Sequence, residues 1–167
     1  MEMSLAGLGD IPGKLPETVA DLPERDAWLG RNLRRATNAI LHNFAEHFAD
    51  FQIRPALFSA LYFIERHPGS SGAELSDMMQ VPRANMVLIL RELEKRGLIV
   101  RKQSQANKRA QALSLSQAGQ DLMPQLHQAH LEHTREVYGL MSEAERDFLM
   151  HILRRLWATA PDAAEAD

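Results

Sequence analysis

Residues 71–119 read SGAELSDMMQVPRANMVLILRELEKRGLIVRKQSQANKRAQALSLSQAG. Ser71 and Glu74 stand in the Ser-x-x-Glu spacing of a capping box, which opens a short helix carrying Leu75, Met78 and Met79. Pro82 suits the first position of a following helix, where its missing N–H is no loss, and Gly97 is a natural stop. Along that second helix, steps of 100° gather Met86, Ile89, Leu90 and Leu93 on one side as core. The opposite side presents Ala84, Leu88, Arg91 and Lys95, with Arg83 and Asn85 flanking near the N-terminus. The pattern then changes. Leu98-Ile99-Val100 favours strand, Ala110 to Leu115 alternates small or apolar with polar residues, and the polar run Gln103 to Lys108 lies between. That is a hairpin with a basic tip.

A short helix, a tight turn, a basic helix and a basic hairpin form the layout of a winged helix-turn-helix. In that layout the second helix enters the major groove and the hairpin reaches a neighbouring groove or the phosphates. Charge follows the same plan. The 167-residue chain carries a formal −3, yet residues 82–109 hold eight cations against two anions, while the rest holds eleven cations against twenty anions. Local charge governs what a surface attracts within a Debye length, about 8 Å in physiological salt. Arg pairs with guanine O6 and N7, Asn with adenine N6 and N7, and Leu or Ala meets a thymine methyl. Arg83, Asn85, Leu88 and Arg91 are therefore the candidate base readers, and Lys95, Lys102, Lys108 and Arg109 the candidates for phosphates or the minor groove. A leucine on a polar face such as Leu88 also fits a second class, a winged-helix module that docks a partner protein.

Outward from this stretch the chain is mostly helical. Leu29, Leu33, Ala36, Ile40, Phe44 and Phe48 form one stripe of a long first helix. Leu57, Leu61 and Ile64 mark a second, started near Pro55 and stopped by His67-Pro68-Gly69. Ser116 is an N-cap for a helix carrying Leu122, Leu126, Ala129 and Val137, which Pro124 is expected to kink. Ser142 with Glu145 opens the last helix. The fold class expected is mainly α with a small β-wing: six helices and one hairpin. The divisions expected are an arm over 1–23, the first helix over 24–54, and a DNA-binding lobe over 55–116. C-terminal helices follow over 117–160, and a tail over 161–167.

Composition excludes several classes. There is no cysteine, which removes disulfides, zinc–thiolate sites, thiol redox sensing and thiol nucleophiles. No apolar run reaches the roughly 18 residues of a membrane span, and no export signal is read at the N-terminus, so the expected compartment is the cytoplasm. A glycine-rich phosphate loop, H-E-x-x-H and G-x-S-x-G are missing, so no enzyme is expected and no cofactor is implied. His127, His130 and His133 recur every three residues, drifting about 60° per step around the helix, with Glu132 and Glu136 nearby. They are expected to be exposed or at an interface, with a metal-responsive regulator as the alternative.

The run Leu93-Glu94-Lys95-Arg96-Gly97-Leu98-Ile99, then Arg101, Asn107-Lys108-Arg109-Ala110 and Leu115-Ser116-Gln117-Ala118-Gly119, resembles the MarR family of bacterial transcription regulators. Element order agrees over about residues 24–158. Two positions depart from the family pattern. Val87-Leu88 stands where a polar Thr-Arg pair is common, which shifts base reading toward Arg83, Asn85 and Arg91. Asn107 replaces the wing aspartate, which loosens the hold on Arg109. The resemblance implies a homodimer with the first, fifth and sixth helices interleaved, so that 24–54 is a dimerisation helix and pocket wall and 117–160 holds the C-terminal dimerisation helices. Independently, the last helix is apolar on more than one stripe, at Phe148, Leu149, Ile152, Leu153, Leu156 and Trp157. A two-fold dimer reads a pseudo-palindromic operator in double-stranded DNA with half-sites about 34–36 Å apart. The resemblance further implies a small-molecule effector, often an aromatic carboxylic acid or its thioester. Trp28, Arg31, Arg35, His42, Phe44, Phe58 and Tyr62, with Phe63, are the candidates to hold it. Arg31, Arg34 and Arg35 also suit a phosphorylated group such as coenzyme A. The function expected is a repressor released by that ligand.

Overall fold

The structure is a computed structural model that describes residues 28–103 and 111–158, the side chains of 102, 103 and 111 excepted. The expected arm over 1–23, the tail over 161–167, and the hairpin tip with Asn107, Lys108 and Arg109 lie outside the described residues. Among those described, the elements are α1 (Leu29–His47), a 3-10 turn (Ala49–Phe51), α2 (Pro55–Arg66), α3 (Gly72–Met79), α4 (Arg83–Lys95), β1 (Ile99–Gln103), β2 (Gln111–Leu115), α5 (Gln117–Tyr138) and α6 (Glu143–Trp157). This is the six-helix, one-hairpin plan. Two units divide within α1, between Ala39 and Ile40.

Local chemistry explains where the elements begin. The Ser71–Glu74 and Ser142–Glu145 capping boxes both form, each serine accepting from the glutamate N–H while the carboxylate accepts from the serine N–H. Pro55 occupies the first position of α2. Pro82 instead sits one residue before α4 as its N-cap, with ψ 142°. The extended backbone there corrects the expectation that it is the first helical residue. Pro124 lies inside α5 without interrupting it.

The end of α4 is a Schellman motif. Gly97 takes φ +69°, its N–H donates to Glu94 O at 2.8 Å, and Leu98 N–H reaches back to Leu93 O at 3.0 Å. A left-handed residue at this place closes the helix and folds Leu98 onto Leu93, both buried. The turn delivers the chain directly into β1, which pairs antiparallel with β2 in the register Ile99↔Leu115 and Arg101↔Leu113.

β2 also has a partner on its other edge. Gly69 N–H donates to Leu113 O at 2.7 Å, and Leu113 N–H donates to Ser70 O at 2.9 Å. The sequence shows His67-Pro68-Gly69 only as a helix stop. The pairing satisfies an edge strand that is otherwise unpaired and ties the start of α3 to the hairpin.

The core lies within the larger unit. Phe48, Leu57, Leu61, Ile64, Leu75, Met86, Leu93, Leu113, Met123 and Leu126 are fully buried, drawn from the residue after α1 through to α5. Each contributes about 1.5–3 kcal/mol relative to exposure. By contrast α6 buries none of its residues within the chain. In the smaller unit Leu29 and Leu33 are exposed as well.

The α5 N-terminus rests on the Gly97–Leu98 backbone. Ser116 Oγ accepts from Gly119 N–H at 3.0 Å and donates to Gly97 O at 2.5 Å, while Ser116 N–H donates to Leu98 O at 3.0 Å. A Cβ on Gly119 would stand 2.1 Å from Leu98 O, a backbone atom. Gly119→Ala is therefore expected to lower stability by about 1–3 kcal/mol, as overpacking against a fixed wall does. Urea denaturation measures this, and an unchanged midpoint would show that the junction yields freely.

Candidate nucleic-acid interface and an adjacent cavity

α3 and α4 are held at a fixed angle by a turn that a buried hydroxyl braces. Ser76, 3% exposed, donates from Oγ to Val81 O at 2.6 Å, and Val81 N–H donates to Ser76 O at 3.1 Å. Gln80 bends the chain in the left-handed region, φ 52°. The sequence signals the turn only through Pro82. The role of Ser76 could not be read from it, because a serine inside a helix usually faces solvent.

On α4 the two faces fall as the periodicity predicts. Met86, Ile89, Leu90 and Leu93 are buried, and Arg83, Ala84, Asn85, Leu88, Arg91 and Lys95 are exposed. Leu88 is 60% exposed, beside Val87 at 44%. No side chain caps the N-terminus of α4, and no acidic residue occupies its first turn. Its free N–H groups and positive dipole end thus face outward, uncompensated by a protein carboxylate.

The anions of the basic segment are turned to internal use. Glu92 pairs with Arg54 at 2.8 Å, and Glu94 pairs with Arg101. Arg96 lies outside the outward face, donating to Phe51 O at 2.7 Å and Gln52 O at 2.8 Å. It clasps the end of the 3-10 turn to the end of α4. Lys102 lies in β1, its side chain undescribed, and Lys108 and Arg109 belong to the tip outside the described residues. Arg83, Arg91 and Lys95 remain on the α4 surface.

Of the effector candidates, Phe44, Phe58 and Tyr62 come together. With Pro55, Ser59, Phe63 and His130 they line a cavity of about 360 Å³ between the second half of α1, α2 and α5. Phe44 and Phe58 also belong to the core, Phe44 stacking on Phe48 at 3.9 Å between centroids. His42 is not part of this lining and pairs with Glu46 one turn along α1 at 3.5 Å. Trp28, Arg31 and Arg35 belong to the smaller unit, where the Arg31 guanidinium lies over the Trp28 ring at 4.6 Å.

Of the α5 histidines, His133 corrects the expectation that they are exposed or at an interface, since it packs inside the subunit, while His130 is half-buried. His133 is 3% exposed, and its Nδ1 donates to Asn43 Oδ1 at 2.6 Å. The direction is set because Asn43 Nδ2 donates to Glu136 Oε2 at 2.8 Å, which fixes the amide. His130 lines the cavity with its ring 4.7 Å from Phe58, and its Nδ1 is buried without a protein partner. His127, on the exposed side, pairs with Glu65 at 3.0 Å, and His47 pairs with Glu136 at 3.1 Å. Burial, reinforced by His127, holds His130 below the usual imidazole range. Burial also lowers His133, with His130 and His47 adding to it and Glu136 opposing. Among the described residues no group of three histidines or carboxylates is placed to hold a metal ion.

Comparison with known proteins gives consistent matches. A family model described as MarR family matches residues 52–110. A Thauera aromatica protein named for transcriptional regulation of the hcr operon is 32% identical over 130 residues, 77% of this chain and 78% of that one. The transcriptional repressor MprA of Escherichia coli is 28% identical over 138 residues, 81% of this chain and 78% of its own. Among solved structures, the transcriptional repressor CouR bound to a 23-mer DNA duplex superposes with a TM-score of 0.70 at 30% identity, covering 80% of this chain and 94% of that one.

Two expectations follow from the geometry. Arg96→Ala should lower stability by about 1–2 kcal/mol, two charge-assisted bonds discounted for exposure. It should leave the salt dependence of duplex binding unchanged, and a slope reduced by one ion would place Arg96 on the phosphates instead. His130 and His133 are depressed in the folded state, so the unfolded chain binds more protons as pH falls below about 6.5. Stability should be fully retained above that pH and decline toward pH 5.5, as followed by urea midpoints. A midpoint flat across this window would contradict the lowered proton affinity of both rings.

Proposed function

The chain belongs to the MarR family of DNA-binding transcription regulators, and on that premise we propose that it acts as a homodimeric, sequence-specific repressor released by a small aromatic acid or its coenzyme A thioester. The observation that carries this reading is the outer face of α4. It presents Arg83, Asn85, Leu88, Arg91 and Lys95 to solvent beside an uncapped helix N-terminus, while both carboxylates of the segment are paired elsewhere. Such a face offers base-edge donors, an apolar contact for a thymine methyl, and backbone N–H groups for a phosphate.

Arg83, Asn85 and Arg91 are the base readers in this reading, and Leu88 takes the methyl contact. Lys95, with Lys102, Lys108 and Arg109 of the wing, holds the phosphates or the minor groove. α6 supports the dimer, since Phe148, Leu149 and Trp157 are exposed in the single chain and none of its residues is buried. Residues 24–54 and 117–160 would then form the dimer and the pocket wall, and 55–116 the DNA-binding lobe. The relative CouR, a repressor seen on duplex DNA, supports the repressor role.

Release follows from linkage. A ligand shifts the protein only as far as it prefers one arrangement of the two lobes over the other. The cavity touches α2, whose far end leads into α3 and α4, and α5, which leads into α6. A ligand filling it would bias the half-site spacing.

Genomic-fragment binding at two salt concentrations, followed by footprinting, tests the function. A discrete two-fold symmetric footprint is expected, and uniform weak binding that vanishes at moderate salt would sink the reading. Lys95→Ala should weaken binding several-fold on every sequence and lower the salt slope by about 0.9. Asn85→Ala should lose about 1–3 kcal/mol of discrimination at one base pair with the slope intact. Leu149→Asp should yield a monomer by sedimentation that no longer protects the operator.

A further inference from the structure

The cavity between α1, α2 and α5 combines an apolar wall with a narrow polar set. Its lining residues are Phe44, Pro55, Phe58, Ser59, Tyr62, Phe63 and His130. None of them carries a permanent charge. The hydrogen-bonding groups are the Ser59 and Tyr62 hydroxyls and the His130 imidazole. The ring of His130 packs on Phe58, and one of its nitrogens is buried with no protein partner. Buried polar atoms are nearly always satisfied, and an orphan is destabilising. A half-turn about χ2 exchanges the buried Nδ1 with Cδ2, so either edge of this ring is within a torsion of meeting a guest.

The groups around His130 do not favour a cation there. On α5, His127 lies one turn before it, paired with Glu65 of α2, and the His133 ring stands 5.9 Å away, bonded to Asn43 of α1. From α1, His47 faces His133 and pairs with Glu136, with Glu132 at 3.9 Å. From α2, Tyr62 lines the same cavity, and Arg66 covers the Tyr62 ring from 5.5 Å. Each carboxylate near the cluster is already engaged by another histidine or by Asn43. An incoming carboxylate would therefore meet no fixed positive charge among the lining residues, Arg66 lying behind the Tyr62 ring, and burying it uncompensated is strongly unfavourable.

We propose that His130 is the polar anchor of this cavity and that an aromatic carboxylate enters it together with a proton, which His130 takes up. The pair formed, imidazolium on carboxylate, supplies the charge the lining lacks. A neutral aromatic carbonyl, as in a thioester or an amide, accepts a hydrogen bond from the neutral imidazole and needs no proton. The two effector classes thus differ in pH dependence at one residue. The proposal rests on the reading of this cavity as the effector site.

The test is calorimetric titration of the full chain with benzoate and with benzamide at pH 6.5, 7.5 and 8.5, in two buffers of different ionisation enthalpy. Benzoate stays ionised throughout this range. Its affinity should fall about tenfold per pH unit, with close to one proton taken up per site, while benzamide affinity stays flat. His130→Gln keeps a hydrogen-bond donor and cannot titrate, so its benzoate affinity should not change with pH. The imidazole nitrogen shifts of the unsubstituted protein give a second reading: one ring should pass to the doubly protonated pattern when benzoate is added at pH 7.5. Flat benzoate affinity in the unsubstituted protein would overturn the proton coupling and leave the cavity as an effector site. A slope that survives His130→Gln would move the coupling to another histidine and overturn the assignment. Binding of neither probe by protein that still retains duplex DNA would overturn the effector site itself.

Discussion

The seat of α5 on the carbonyl of Leu98 is the contact on which the winged-helix lobe depends. Gly97 turns left-handed to end α4, Leu98 folds onto Leu93, and its carbonyl then accepts from Ser116 N–H while the bare Cα of Gly119 slides beneath it. Three elements meet here within a few ångströms: the end of α4, the start of β1, and the first turn of α5. Any side chain at 119 would push α5 away, and α5 carries the buried Met123, Leu126 and His133 that close the core. The spacing from Gly97 to Gly119 is set by this meeting, because the hairpin must leave α4 and return to the same carbonyl. The pairing of Leu113 with Gly69 and Ser70 then fixes the hairpin to the start of α3.

Charge on this lobe is sorted by use. Counted along the sequence, residues 82–109 are a single basic block. Folded, Arg96 clasps the 3-10 turn and Arg101 holds Glu94, so these two cations brace the lobe. Pairing Glu92 and Glu94 at the same time strips the outward face of anions. What faces solvent on α4 is a smaller but purer positive surface than the count suggests, joined to a helix N-terminus free of carboxylates. That purity matters because a phosphate backbone repels an unpaired carboxylate as strongly as it attracts a lysine.

The histidine row of α5 links two demands. His133 is satisfied through Asn43, itself oriented by Glu136, which His47 also holds. His130 sits in the same row with its buried nitrogen unmatched by protein. A core that satisfies one ring and leaves its neighbour at a cavity wall makes that neighbour the titratable imidazole of the cavity, beside the Ser59 and Tyr62 hydroxyls. Ring contacts connect this row to Phe44, Phe58 and Tyr62. A change in charge at His130 would thus be felt by side chains on α1 and α2, the second of which leads toward α3 and α4.

The sequence by itself determined the element order, both capping boxes, the buried and exposed faces of α4, and the hairpin. Each rests on local rules: a side chain reaching its own backbone three residues on, or a period of 3.6 set by helix geometry. Family membership was also legible, in the run from Leu93 to Gly119. Missed were the bond from Ser76 to Val81, the pairing of Gly69 and Ser70 with β2, the internal use of Arg96 and Arg101, and the inward packing of His130 and His133. All of these join residues that local periodicity does not relate, or depend on which face of α5 the core claims. His127, His130 and His133 show the point most plainly. Their spacing fixes where they lie around a helix, but only the packing of α1 and α2 against it decides which of them is buried, which is paired, and which lines the cavity.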